Sequence, residues 1–148
     1  MKHLSIAAML IFLTASAFAQ IAQPVKWAYA AKKINDKEAV IFIKATIDDG
    51  WHIYSQNIKD GGPVKTSFTF SPAAGYSLIG KTIEPAPITH FEKSFGMDVS
   101  YFEKTVVFQQ KIKLKKAQTT VKGSLEYMTC NDHKCLPPTD LDFSVTIK

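Results

Sequence analysis

The two cysteines of the chain, Cys130 and Cys135, are the residues best suited to chemistry, and four residues separate them. The chain between them is short enough to turn back and bring both sulfurs within disulfide distance. A ring this small gains little stability from loop closure, because that gain grows with loop length. An inert disulfide that pins a hairpin and a redox-active pair both fit the spacing, and the spacing alone favours neither.

The residues between the cysteines could tune the reactivity of a thiol. A nearby cation favours the thiolate, which is the form that attacks a disulfide, so His133 and Lys134 are predicted to assist the pair. Asp132 has the opposite effect, because a negative charge disfavours a second one beside it. Cys130 ends one predicted strand and Cys135 begins the return, so we expect the pair on a hairpin tip.

Metal binding by this region is the next alternative. Cys130, Cys135 and His133 could ligate a metal together with the distant His52 or His90. Zinc sites built on cysteine pairs usually carry a second pair, which this sequence lacks, and a c-type haem needs a histidine directly after a two-residue spacing. No serine motif or nucleophile–base arrangement indicates a hydrolase. We therefore predict neither a metal nor a cofactor.

The N-terminus predicts export. A short basic start precedes an apolar run from Leu4 to Ala15, and Ala19 ends a small-residue cleavage pattern. Residues 1–19 are therefore predicted to be a secretory signal peptide, since the run is too short to span a membrane. Residues 20–148 are predicted to form one periplasmic or secreted domain that is not inserted in the membrane. In that oxidising compartment an even pair of cysteines is able to form a disulfide.

Charge gives no support for nucleic-acid binding. The chain has 18 basic residues, all of them lysine, against 13 acidic ones, and its formal net charge is +5. The lysines are spread along the sequence, and arginine, which reads bases and phosphates best, is missing from it. Nucleic acid is therefore excluded as a predicted partner.

Hydrophobic alternation predicts strands throughout the domain. Phe108 and Ile112 fall on one face of a predicted strand while Lys111 and Lys113 fall on the other, a period that only a strand allows. Strands are predicted at residues 25–34, 38–47, 51–54, 66–70, 76–83, 99–114, 119–130 and 141–147. Seven to nine short strands without an amphipathic helix indicate an all-β, immunoglobulin-like β-sandwich.

The segment before residue 99 is expected to be irregular. Pro85 and Pro87 cannot donate to a sheet ladder, so a long connection is predicted from there to about Asp98. The connection contains Phe91 and Phe95, and it is apolar enough that it should pack against the domain.

A further aromatic group, formed by Trp51, His52 and Tyr54, follows a predicted turn. Such a group could stack against a ligand. Aromatic residues at this position of a β chain more often fill the core or cap its end, so a core role is predicted.

One stretch of the sequence resembles a known family. It precedes the alternating last strand and reads Tyr127-x-x-Cys130-x4-Cys135-x-Pro137-Pro138. This stretch resembles the N-terminal periplasmic domain of the DsbD thiol:disulfide interchange proteins. The likeness continues upstream through residues 49–54, 95–96 and 101–107, so it covers nearly all of the chain after the predicted signal peptide.

The resemblance implies an immunoglobulin-like sandwich whose cysteine pair passes electrons from a thioredoxin-like donor to oxidised periplasmic proteins, which is a protein-disulfide reductase activity. It also implies that Cys135 forms the mixed disulfide with a partner and that Cys130 resolves it. The sequence ends at Lys148 without the membrane-embedded and thioredoxin-like portions that normally follow, so we expect electrons to arrive from a separate protein. A secreted binding or assembly module with a structural disulfide is the alternative.

The family shields its cysteine pair with a cap loop that carries an aromatic residue, and the corresponding segment here is residues 87–98. Phe95 is the first candidate for the shielding side chain and Phe91 the second, although either could instead anchor the loop in the core. Acidic residues precede the cap aromatic in the family, and Glu92 is the nearest match here. Tyr127, from the cysteine motif, completes the group of expected cap and partner-binding residues.

Overall fold

The computed structural model describes residues 22–148, so the predicted signal peptide at residues 1–19 lies outside the described part of the chain. Within residues 22–148 all the regular secondary structure is β-strand. The same range contains no helix with the length and apolar character needed to cross a membrane. The all-β class predicted from the sequence is confirmed.

Eleven strands follow one another along the chain. They are β1 (Val25–Asn35), β2 (Glu38–Ile47), β3 (His52–Tyr54), β4 (Ser67–Phe70), β5 (Tyr76–Ile83), β6 (Ile88–Glu92), β7 (Met97–Phe102), β8 (Thr105–Leu114), β9 (Thr119–Tyr127), β10 (Thr129–Cys130) and β11 (Thr139–Ile147). The number exceeds the seven to nine predicted, because two long predicted strands are divided and one loop is a strand.

Three antiparallel sheets make up the sandwich. The first has the order β1-β2-β8-β5, the second β10-β3-β7-β6, and the third β11-β9-β4. Buried residues of β2 and β8, such as Ile41 and Phe108, share one hydrophobic cluster with Leu125 of β9 and Phe143 of β11. The first and third sheets therefore face each other across the main core, as the layers of a β-sandwich do.

A second, smaller cluster lies within the second sheet. Tyr54 of β3, Val99 and Tyr101 of β7, and Cys130 of β10 are buried together there. Because Cys130 belongs to this cluster, one of the two cysteine side chains lies in the protein interior.

The predicted alternation is confirmed wherever one strand face covers the core. In β8, Phe108 and Ile112 are fully buried while Lys113 is exposed. In β11, Phe143 and Val145 are buried, and Ser144 between them is exposed. The pattern predicts these strands well because each has one dry face and one wet face.

The single long strand predicted for residues 99–114 is wrong. The chain leaves β7 in the second sheet and enters β8 in the first, and Lys104 between them has a φ of +60°. The Thr105 amide donates to the Glu103 carbonyl, with 2.7 Å between nitrogen and oxygen, which closes a tight corner. Apolar residues continue on both sides of this corner, so alternation alone could not reveal a change of sheet. The predicted strand at residues 119–130 is divided in the same way into β9 and β10, which lie in different sheets.

The irregular connection predicted up to Asp98 is also wrong. Residues 88–92 form β6, which pairs antiparallel with β7 so that Glu92 lies opposite Met97. Pro85 and Pro87 lie before this strand rather than within it, so they do not interrupt its ladder. A tight turn at residues 93–96 joins the two strands, and Gly96 there has a φ of +65°.

Close packing around Gly123 in the middle of β9 yields a test of the sandwich. A Cβ atom at Gly123 would lie 2.6 Å from Cζ of Phe143 and would also collide with the carbonyl oxygen of Thr69. We therefore expect Gly123→Ala to lower the free energy of unfolding by about 1–3 kcal/mol, the usual result of overpacking. Urea denaturation followed by tryptophan fluorescence measures this change.

The neighbouring variant Ser124→Ala is the matched control, and it should change stability by less than about 0.5 kcal/mol. Equal stability of Gly123→Ala and the unsubstituted protein would contradict the packing described for β9.

Candidate functional site

Cys130 and Cys135 form a disulfide at the tip that follows β10. The two halves of this bond differ in exposure. Cys130 is only 2% exposed, whereas Cys135 belongs to an exposed run of residues. A molecule in solution therefore reaches the sulfur of Cys135 more easily than that of Cys130.

Hydrogen bonds fix the shape of the loop between the cysteines. The Asn131 side-chain oxygen accepts from the backbone amides of His133 at 2.9 Å and Lys134 at 2.8 Å. In the backbone, the Asn131 N–H donates to the Lys134 carbonyl at 2.9 Å, and the Leu136 N–H donates to the Thr129 carbonyl at 2.9 Å. An asparagine side chain that accepts hydrogen bonds from the backbone amides of its own turn stabilises one conformation of that turn.

The loop is attached to the second sheet through β10. Thr129 and Cys130 lie opposite Ile53 and His52 of β3 in antiparallel register. The buried Thr129 hydroxyl also donates to the His52 carbonyl at 2.9 Å. This pairing draws Cys130 into the small core and leaves Cys135 outside it.

A cleft of about 430 Å³ lies beside the disulfide. Its walls come from β3, the β6–β7 hairpin, the residue after β7 and the cysteine loop. The lining residues are His52, Tyr54, His90, Glu92, Ser94, Phe95, Tyr101, Glu103, Asn131, Asp132, His133, Lys134 and both cysteines. Both cysteines therefore open onto this cleft.

Aromatic and imidazole rings form one wall of the cleft. His52 Nε2 lies 3.2 Å from the Tyr54 hydroxyl. The ring centre of Tyr101 is 5.0 Å from that of His52 and 4.7 Å from that of His90. Phe95 meets Tyr54 edge to face, with 6.5 Å between ring centres. The turn that carries Phe95 is therefore in contact with this wall of the cleft through the Tyr54 ring.

Burial sets the protonation states of this wall. It lowers the pKa of His52, an effect that the negative charge of Glu103 partly opposes. Burial raises the pKa of Tyr54 to about 12, with a further contribution from Glu92, and it also raises the pKa of Tyr101. At neutral pH the His52 imidazole is therefore uncharged and both phenols keep their protons.

Glu92 and His90 form a hydrogen-bonded pair at the base of the β6–β7 turn. The Glu92 carboxylate lies 3.3 Å from His90 Nε2, and the two side chains are both partly exposed. The hydrogen bond from His90 is the main reason that the pKa of Glu92 lies below its ordinary value, and hydrogen bonds from Ser94 act in the same direction. Glu92 therefore contributes a fixed negative charge to the cleft.

The structure brings some of the predicted site residues together and separates others. Phe95, Glu92, His133 and Lys134 line the cleft with both cysteines. Phe91 is 60% exposed and is not among the lining residues. The roles predicted for these side chains remain predictions.

Tyr127, the remaining predicted partner-contact residue, is not among the residues that line the cleft. It is buried in the main core, where its ring centre lies 5.3 Å from that of Trp27. A direct partner contact by the Tyr127 ring is therefore not supported by its position.

Several residues that line the cleft are not among the site residues predicted from the sequence. Two of them are His52 and Tyr54, for which the sequence predicts a core role. Tyr54 is buried as expected, but in the small cluster beside the cysteines rather than in the main core. The pairing of β3 with β10 places His52 at the site, and two strands of three and two residues give no periodic signal in the sequence. His90 was assigned to an irregular loop, so its position on β6 could not be anticipated.

Metal ligation gains no support from the described residues. Residues 22–148 contain no group of three or more histidine, cysteine, aspartate or glutamate side chains placed to hold a metal ion. Two of the histidines that line the cleft make other contacts: His52 with Tyr54, and His90 with Tyr101 and Glu92.

Comparison with known proteins identifies the fold and the family. The family model described as "Thiol:disulfide interchange protein DsbD, N-terminal" matches residues 19–147. Comparison with curated protein sequences found no match.

Solved structures with the same fold include two from Neisseria meningitidis. The DsbD N-terminal domain in its reduced form has a TM-score of 0.52 at 19% identity, with 80% of this chain and 83% of that chain covered. The complex between the DsbD and PilB N-terminal domains has a TM-score of 0.55 at 18% identity, with 82% of each chain covered. The predicted immunoglobulin-like sandwich is confirmed.

A third similar structure is the N-terminal periplasmic domain of ScsB from Proteus mirabilis. Its TM-score is 0.62 at 20% identity, and the match covers 83% of this chain and 46% of that one. At identities this low the likeness to solved structures concerns the fold alone.

The Glu92–His90 pair yields a test of the cleft geometry. In a titration followed by NMR, the Glu92 carboxyl should change protonation below the ordinary glutamate range. In His90→Gln the main stabilising hydrogen bond is weakened and the positive charge is lost, so the pKa of Glu92 should rise toward its ordinary value.

His133→Gln is the matched control, because it removes a histidine of the same cleft and leaves the Glu92–His90 contact in place. If Glu92 titrates identically in the unsubstituted protein and in His90→Gln, the contact does not exist in solution.

Proposed function

We propose that this chain, which belongs to the family of DsbD N-terminal domains, carries out thiol–disulfide interchange with other proteins through Cys130 and Cys135. The observation that carries the proposal is the unequal exposure of the two bonded cysteines beside a cleft. Exchange between two proteins needs one sulfur that a partner can reach and a second that can displace the partner afterwards. The geometry supports this division of roles.

Cys135 is the thiol that attacks the partner in this proposal. In the reduced protein its thiolate attacks a partner disulfide, so that one partner sulfur leaves and a mixed disulfide forms at Cys135. Cys130 then attacks the sulfur of Cys135, the internal disulfide forms, and the second partner sulfur leaves as a thiolate. The partner gains two electrons and this protein loses them.

The proposed electron donor is a thioredoxin-like protein, and the proposed acceptors are oxidised proteins of the periplasm. The predicted signal peptide and the family of the chain support the periplasm as its location. The N. meningitidis complex supports protein partners, because there a DsbD N-terminal domain is bound to the N-terminal domain of PilB.

Phe95 is the proposed cap over the cysteine pair. It is half-buried, lies on the tight turn between β6 and β7, and rests on Tyr54 inside the cleft. In this position the ring restricts access from solvent to the disulfide.

The charges around Cys135 act in two directions. Lys134 precedes it directly and His133 is one residue further away, and a cation at this distance favours the thiolate. Glu92, Glu103 and Asp132 line the cleft and disfavour it. Lys134 is thus the proposed main support of the attacking thiolate, because it is adjacent in sequence and equally exposed.

A trapping experiment tests the assignment of the two cysteines. Cys130→Ser leaves the attacking thiol without its resolving partner, so reduced Cys130→Ser should accumulate mixed disulfides with proteins of a periplasmic extract. Non-reducing gels and mass spectrometry of the bands measure this accumulation.

Cys135→Ser is the matched control and should trap little, because its remaining thiol is buried. Trapping by Cys135→Ser alone would reverse the two roles. If neither variant traps a protein, the disulfide is structural and the proposed exchange is wrong.

Reduction kinetics test the cap. An aromatic contact of this kind is worth about 0.5–1.5 kcal/mol, so loss of the Phe95 ring should open the cleft and speed reduction of the disulfide by about two- to tenfold. The rate at which dithiothreitol reduces the oxidised protein measures the effect of Phe95→Ala.

Phe91→Ala is the control for this measurement, since that ring projects into solvent outside the cleft. Equal rates for Phe95→Ala and the unsubstituted protein would show that Phe95 anchors the turn without shielding the sulfurs.

A further inference from the structure

His52 lies directly opposite Cys130 in the antiparallel pair formed by β3 and β10. Directly opposed residues project from the same face of a sheet, with Cβ atoms about 4.5–5.5 Å apart. Both side chains also line the same cleft. An imidazole is thus held next to the sulfur that has to resolve the mixed disulfide.

The resolving step needs a proton acceptor at this place. Cys130 is almost completely buried, and burial disfavours a thiolate. The carboxylates of Glu92, Glu103 and Asp132 in the same cleft disfavour it further. The thiol of Cys130 therefore keeps its proton until a base removes it, and only then can its sulfur attack.

His52 has the properties of such a base. Its ring is half-buried, and burial lowers its pKa, so the neutral imidazole predominates at neutral pH. Its Nε2 atom lies 3.2 Å from the Tyr54 hydroxyl, while the other ring nitrogen has no hydrogen-bond partner among residues 22–148. In the tautomer that donates from Nε2 to Tyr54, the lone pair of Nδ1 is free to accept a proton.

We propose that His52 is the general base that deprotonates Cys130 in the resolving step, an assignment that rests on the proposed exchange function. The Cys130 proton moves to the imidazole, and the resulting thiolate attacks the sulfur of Cys135. The bond between Cys130 and Cys135 forms as the bond between Cys135 and the partner sulfur breaks. The partner leaves as a thiolate and can be protonated by the imidazolium.

Tyr54 is a positioning residue in this arrangement. Its hydroxyl keeps its proton throughout the physiological range, because the pKa of Tyr54 is raised to about 12, and it holds the His52 ring by the Nε2 contact. The titratable and charged groups that face His52 come from β3, β6, β7 and the two adjacent loops. They are Tyr54, His90, Glu92, Tyr101, Glu103, Asp132, His133 and Lys134.

Stopped-flow absorbance with dithiobis(nitrobenzoate) separates the two steps. The reduced protein releases one coloured thiolate when its first cysteine attacks the reagent and a second when the other cysteine resolves the mixed disulfide. The first release depends on reagent concentration and the second does not. The second rate therefore reports the step assigned to Cys130 and His52.

In His52→Gln we expect the second release to slow by about a hundredfold at neutral pH, the usual contribution of a general base. The first release should be unchanged. In the unsubstituted protein the second rate should rise with pH and level off below the ordinary histidine range, because only neutral His52 accepts the proton. This inflection should disappear in His52→Gln, and added imidazole should accelerate the second release in His52→Ala.

His90→Gln is the matched control, since it removes a histidine from the same cleft that is not opposite a cysteine. The inflection in the second rate should persist there. The proposal is overturned if His52→Gln keeps both the second rate and its inflection.

The wild-type profile also decides the question if the variants fold poorly. A second rate that keeps rising toward the ordinary thiol range, without an earlier inflection, overturns the assignment of His52. If the wild-type protein shows no second release at all, the exchange function itself fails, which is a distinguishable result.

Discussion

The antiparallel pairing of Thr129 and Cys130 with Ile53 and His52 is the contact on which the site depends. It is only two residues long, yet it draws one cysteine into the small core and leaves the other on the surface. It also places an imidazole opposite the buried sulfur and makes β3 the floor of the cleft. Without this contact, the cysteine loop would be an ordinary hairpin tip above the third sheet.

The cleft combines a dry wall with a charged rim. At neutral pH the buried or half-buried side chains of Tyr54, Tyr101 and His52 are uncharged, while Glu92 and Lys134 carry charges where water can reach them. A buried thiol in such surroundings is a poor nucleophile until it loses its proton, whereas an exposed thiol next to a lysine is a better one. In the proposed exchange, the unequal burial of the two cysteines therefore sets the order in which they attack.

The sequence was sufficient for the sandwich strands, for the cysteine motif and for the family, because alternation in β8 and β11 and the spacing around Cys130 are local signals. The sequence did not predict where the chain passes from one sheet to another or where β6 begins. The chain changes sheets at Lys104, where apolar residues continue on both sides, and β6 begins just after two prolines that suggested a loop. The position of His52 at the site could not be predicted because it depends on pairing with a two-residue strand far along the chain. Pairing between short segments that are far apart in the sequence produces no hydrophobic periodicity that could be detected.

The hydrogen bonds of the cysteine loop have one more consequence. The Asn131 side chain accepts hydrogen bonds from the backbone amides of His133 and Lys134, and the Leu136 amide donates to the Thr129 carbonyl, so hydrogen bonds hold the tip in addition to the disulfide. A disulfide between residues this close adds little loop-closure stability in any case. We therefore expect the oxidised and reduced forms to share one backbone scaffold, so that redox cycling requires little reorganisation of the backbone. On this expectation, a partner that distinguishes the two forms has to sense the sulfur atoms themselves, since the surrounding backbone is the same in both.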